Sequence, residues 1–114
     1  MPFQPGRYGL VYTDELRRWF RAQIARGLDD PVELERELAS AEAEAAIAEI
    51  EITTNGELVS RAGEREWYRF PIELDASRVE VTKPTGQRVV LEPVGENEIS
   101  GSEADKPLMK FVRR

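Results

Sequence analysis

Two residue types that carry much of protein chemistry are missing from this chain, which has no cysteine and no histidine. Their absence removes disulfides, thiolate nucleophiles, Cys or His zinc sites, Ser-His-Asp triads and imidazole acid–base steps. What remains is chemistry by carboxylates, lysines, tyrosines or an all-oxygen metal site. Carboxylates do come in close pairs, Glu49 with Glu51 and Glu64 with Glu66. Glycoside hydrolysis, however, needs two carboxylates facing each other across a cleft, whereas acids two apart beside a turn are normally solvated. The run GENEISGSEAD, residues 95–105, has oxygens enough for calcium but lacks the ordered ligand spacing of an EF-hand. The serines have no candidate base. These residue types point away from enzymatic catalysis and call for no cofactor and no metal.

Binding is the chemistry that the remaining residues suit. Trp67, Tyr68 and Phe70 lie in one short stretch, EWYRF, and either line a pocket or divide between a core and a half-exposed face. Tyr8 and Tyr12 share a face if residues 7–12 are extended, and their hydroxyls either orient a polar ligand head or cap the end of a sheet. Arg65, Arg69, Arg88 and Lys110 are strand cations; one that points inward would partner a ligand carboxylate, and one that points outward is ordinary surface. With Phe111 as further apolar wall, the ligand-binding candidates are Tyr8, Tyr12, Trp67, Tyr68, Phe70, Phe111 and the anchors Arg69 or Lys110. A second surface is acidic. Glu33, Glu37 and Glu44, with Glu35, Glu42, Glu49 and Glu51 nearby, offer a docking face for a basic protein unless they are solvated or paired with Arg17, Arg18 and Arg21.

These side chains need elements to hold them. RYGLVYT alternates and predicts a strand over residues 7–12. TDELRRWFRAQIARGL then places Leu16, Trp19, Phe20, Gln23 and Ile24 at helical spacing, with Thr13 as N-cap and Gly27 as the stop. DDPVELERELASAEAEAAIAEI starts a second helix, since Asp30 can cap, Pro31 suits the first turn and Glu33 fits a capping box. Its apolar stripe, Leu34, Leu38, Ala41 and Ala45, is narrow and suits close approach to a neighbour. A helical hairpin over residues 13–47 follows. From residue 48 the period changes to two, and Asn55-Gly56 is a hairpin signal. Strands are expected at 48–54, 57–61, 65–74, 78–83, 87–94, 98–101 and 108–112, an antiparallel meander over residues 48–113. Pro71 and Pro93 lack a ladder donor and belong at an edge, a bulge or a strand end.

The chain has 114 residues, 40% of them hydrophobic and 33% charged, the size and make-up of one globular domain. No run approaches the roughly 18 apolar residues of a membrane span. The start, MPFQPGRYG, does not read as a signal peptide, so a cytoplasmic location is the expectation. The net charge of −6 is concentrated between residues 29 and 56, where nine acids face one arginine, and an acidic face of this kind argues against nucleic acid.

Strand, helical hairpin, then meander resembles the chain order of the intracellular fatty-acid-binding proteins. More loosely, GRY at 6–8, ITTNGEL at 52–58, EWYRF at 66–70 and LMKFVRR at 108–114 look like small bacterial lipocalin-like proteins of unassigned role. The resemblance implies a small barrel, closed or half-open, with the helices as a lid over a lipid-like ligand. The Arg-x-Tyr carboxylate clamp of fatty-acid-binding proteins has no counterpart here, where Lys110-Phe111-Val112 stands. The expected class is α+β, and the expected function is a binding module for a small apolar or amphiphilic molecule. The alternatives are an inhibitory or immunity-type module using the acidic hairpin, and a homodimeric accessory protein without a ligand.

Overall fold

Thr13 and Asp30 start the two helices in the way their types demand. The Thr13 hydroxyl accepts from the Leu16 amide at 3.1 Å, and the Asp30 carboxylate accepts from the Val32 amide at 2.9 Å. The computed structural model describes residues 2–114. Strand β1, Gly6–Leu10, precedes α1, Asp14–Ala25, and α2, Pro31–Ile47. Seven strands follow: β2, Ala48–Ile52; β3, Glu57–Ala62; β4, Arg65–Pro71; β5, Val79–Thr82; β6, Arg88–Gly95; β7, Glu98–Glu103; and β8, Met109–Arg113.

All eight strands belong to one antiparallel sheet in the order β4-β3-β2-β1-β8-β7-β6-β5. Apart from the β1–β8 pair, each ladder joins strands consecutive in sequence, so the sheet curls into a nearly closed barrel. Only β4 and β5 lack a ladder between them. Each turn has its reason. At Asn55-Gly56 the glycine takes a φ of 85°, which costs it nothing. Pro93 sits where the β6–β7 register shifts, and Pro71 ends the edge strand β4, so neither interrupts a central ladder.

Most strand ends differ from the sequence reading by one to three residues, β2 stopping at Ile52 and β7 running on to Glu103, and two of them have a visible cause. The first strand stops at Leu10 rather than at residue 12, because the chain must turn at Tyr12 to bring Thr13 into its capping position. Strand β4 stops at Pro71 rather than at residue 74; beyond it, the Leu74 carbonyl accepts from the Phe3 amide at 2.8 Å.

Parity along the strands sorts the residues into two faces. Tyr8, Ile50, Ile52, Leu58, Val81, Val89, Leu91, Ile99, Met109 and Phe111 form one buried core, joined by Phe3 from the N-terminal segment and Leu16 from α1. The opposite face is charged. There Arg114 reaches Glu49 at 3.3 Å and Arg61 reaches Glu51 at 2.8 Å, so the two glutamates serve as ion-pair partners on the outside of the barrel. Gly9 makes this possible, because the Arg114 guanidinium lies where a side chain at residue 9 would be.

The barrel has two distinct ends. At the floor, Arg113 donates to the Pro5 carbonyl at 2.9 Å, the Tyr8 hydroxyl at 2.8 Å and the Glu96 carbonyl at 3.0 Å. That clasp holds the N-terminal segment against the β6–β7 turn, and Phe3 is buried behind it. At the opposite end, the mouth, the open end of the helical hairpin is seated by Leu16, which is fully buried.

Candidate functional site

Inward-facing side chains shrink from floor to mouth. Along β2 they run Ile52, Ile50, Ala48, and along β3 they run Leu58, Ser60, Ala62. On β7 the inward positions pass from Ile99 to Gly101. A β-carbon at Gly101 would come within 3.1 Å of Leu91 and 3.3 Å of Phe111, so these two side chains close over the glycine and form the cavity wall there. The helices add little volume above, since α2 presents Ala41 and Ala45. The result is a cavity of about 250 Å³ between mouth and lid, walled by Leu10, Phe20, Ala41, Ala45, Ile50, Tyr68, Val89, Leu91, Met109 and Phe111.

Trp67 also reaches this cavity, although Tyr68 beside it does too. Adjacent residues of a regular strand face opposite ways. Here Ser60 pairs with Tyr68 and Arg61 with Glu66, so Trp67 is the extra residue of a β-bulge. The bulge lets two neighbouring aromatics share one wall.

The polar part of the site comes from turns at the mouth. Lys83 opens the β5–β6 turn, held by its amide donating to Gln87 and its carbonyl accepting from Gly86, both at 2.8 Å. Lys106 lies in the β7–β8 turn, where its amide donates to the Glu103 carbonyl at 2.9 Å. Ala104 between them takes a φ of 21°, an uncommon backbone conformation for alanine. Glu103 itself is buried. Its carboxylate lies 2.5 Å from the Lys83 ammonium and 3.8 Å from that of Lys106, yet Oε1 has no donor in hydrogen-bonding geometry. The Lys83 contact is therefore one of charge. Lys106 Nζ stands 5.4 Å from the centre of the Trp19 ring and 5.1 Å from that of Phe20. Burial pushes the Lys106 ammonium below the ordinary lysine value, the Glu103 carboxylate opposes that shift, and the charge of Lys83 adds to it. A second cavity of about 150 Å³ continues past Lys106 toward Trp19, Gln23 and Gln87.

Of the residues singled out from the sequence, Trp67, Tyr68 and Phe111 line the cavity. Phe70 packs against the core below it. Tyr8 is buried at the floor, where its hydroxyl donates to the Gln4 carbonyl at 2.6 Å and accepts from Arg113; burial raises its pKa and the guanidinium moderates the rise. Tyr12 lies beyond the strand, its ring 6.2 Å from Phe20 and its buried hydroxyl without a partner. Burial, then Glu42, raises its pKa, against Arg17. Arg69 and Lys110 are on the outer face, Arg69 paired with Glu57 at 3.1 Å and Glu66 at 2.9 Å, Lys110 with Glu98 at 3.4 Å. The cations that reach the cavity are Lys83 and Lys106, which the sequence reading did not single out.

The acidic hairpin is partly self-neutralised. Arg17 holds Glu42 at 2.7 Å, Arg21 holds Glu35 at 2.6 Å and Arg65 holds Glu44 at 3.5 Å. Glu33 and Glu37 are exposed and have no ion-pair partner among the described residues. In the run GENEISGSEAD, Glu98 and Glu103 are engaged by lysines, and no group of three or more acids among the described residues could hold a metal ion. No helix is long and apolar enough to cross a membrane. No family model, no curated protein and no solved structure matches this chain.

Proposed function

We propose that this protein binds one small, largely apolar molecule with a polar end, seated between barrel and helical lid in the manner of a lipocalin-like carrier. The observation that carries this reading is the cavity of about 250 Å³, mostly apolar on its walls and bordered by Lys83 and Lys106 as well as by Glu44, Glu49 and Ser60. Ligand pockets usually begin at about 300 Å³, so the ligand belongs to the smallest class of such molecules. The polar anchor is Lys83 or Lys106, in place of Arg69 and Lys110.

Native mass spectrometry of the freshly purified protein, compared with its denatured mass, tests the reading. Retained mass on the folded chain, or uptake of added 1-octanol with a change in Trp67 fluorescence, is the expected result. A bare monomer that takes up no octanol overturns it and leaves the exposed Glu33 and Glu37 as the surface to test, by charge reversal, against a basic protein partner. A bare dimer gives the homodimeric alternative.

A further inference from the structure

Lys106 is an unusual lysine. Its side chain is only 14% exposed, although it lies in a turn. It has no hydrogen bond from its ammonium among the described residues, and its nearest carboxylate oxygen, at 3.8 Å, belongs to a glutamate whose other oxygen is already against Lys83. Two aromatic rings of the lid cover it, and it borders both cavities. The other lysines differ. Lys83 has the close charge contact with Glu103, and Lys110 is 54% exposed on the outer face and paired with Glu98.

An amine buried under two aromatic rings and beside a second cation, with Glu103 opposing in part, sheds its proton more readily and becomes a nucleophile. The Trp19 and Phe20 rings shield it on the side of the lid. We infer that Lys106 is a carbonyl-capturing amine, and that the ligand class of this cavity includes small apolar aldehydes or ketones held through a reversible imine. The inference rests on the binding reading above.

The step balances without an oxidant or reductant. The lone pair of neutral Nζ forms the new bond to the carbonyl carbon, and the carbonyl π pair moves to oxygen. The oxygen takes up two protons, both drawn from the nitrogen, and leaves as water; the nitrogen keeps the carbon through a C=N bond. Glu103, whose Oε2 lies 3.8 Å from the Lys106 nitrogen, is the group placed to carry protons between the two atoms.

The experiment uses a matched pair, octanal and 1-octanol, on the full chain. Octanal is added with cyanoborohydride, which reduces any imine to a stable alkyl amine, and the modified residue is located by peptide mapping. The expected result is one octyl group on Lys106, favoured roughly tenfold or more over Lys83, Lys110 and the terminal amine, as for an activated amine. Octanol should compete, Lys106→Arg should lose the adduct, and Lys110→Arg, on the outer face, should keep both the adduct and octanol uptake. Octanol uptake with alkylation that follows exposure, Lys110 first, overturns the inference and leaves the cavity reading standing. Failure of both octanal labelling and octanol uptake overturns both.

Discussion

The floor and the mouth of the barrel are built from the same strands with the same alternation, yet one is solid and the other hollow. At the floor the inward residues are Ile52, Leu58, Ile99 and Tyr8, closed off by Phe3 and clasped by Arg113. At the mouth the same strands present Ala48, Ser60, Ala62 and Gly101 beneath the alanines of α2. Close packing is the default for a protein interior, and unfilled space forfeits contacts. The comparison teaches that one sheet can make both stability and a site, with side-chain size along each strand deciding where the first ends and the second begins.

Three substitutions probe that division. Leu58→Ala at the floor removes a fully buried side chain among tightly packed neighbours and should cost about 3–5 kcal/mol in urea denaturation. Met109→Ala, beside the existing cavity, should cost no more than about 2 kcal/mol, because fewer contacts are lost there. Equal costs would break the comparison. The next test fills the space: Ala41→Leu should raise stability by about 0.5–2 kcal/mol, as cavity-filling changes do, and abolish octanol uptake. A destabilised Ala41→Leu would mean that the mouth is already packed.

The smallest effect is one of pH. Because burial lowers the Lys106 pKa, the native chain gives up that proton at a pH where the unfolded chain still holds it. Stability should therefore rise as pH climbs from the folded value of this lysine toward its ordinary value, and be flat in this respect on either side. Lys106→Met should remove the rise, read as the difference between the two denaturation profiles so that the tyrosines, whose raised values act in the opposite sense, cancel. An unchanged difference would place the lysine in water and the mouth with it.

The element order was legible because each boundary has a local chemical cause: Thr13 and Asp30 as caps, Asn55-Gly56 as a turn, Pro93 at an irregular ladder. Parity was legible too, and it separates the anchors from the walls. Lys110 is adjacent to Phe111, and Arg69 lies between Tyr68 and Phe70, so a strand that turns the aromatics inward turns these cations out. Trp67 escaped parity because a bulge inserts one residue, and no residue type announces that. Lys83 and Lys106 escaped it as well. They sit in turns, where no period applies, and it is the pairing of β5, β6 and β7 that brings them together over Glu103. The taper of inward side chains, Ile to Ala along β2 and Leu to Ala along β3, was written in the sequence and marks the hollow end once the parity is known.

The pairing of β1 with β8 has a consequence for how the site comes into being. Residues 6–71 and 79–113 each contain a run of hairpin-connected strands that can pair with its sequence neighbours, and one ladder, between Tyr8 and Arg113 and beyond, sews the two half-sheets together. Its contacts bridge 105 positions, so the entropy of closing that long loop falls due before they form. Both half-sheets contribute to the cavity, Phe20 and Tyr68 from the first, Lys106, Met109 and Phe111 from the second. A chain with both halves folded but unsewn has no receptor for anything. A molecule bound in the cavity would therefore report that the seam is closed, and mass action would make it a fastener of that seam.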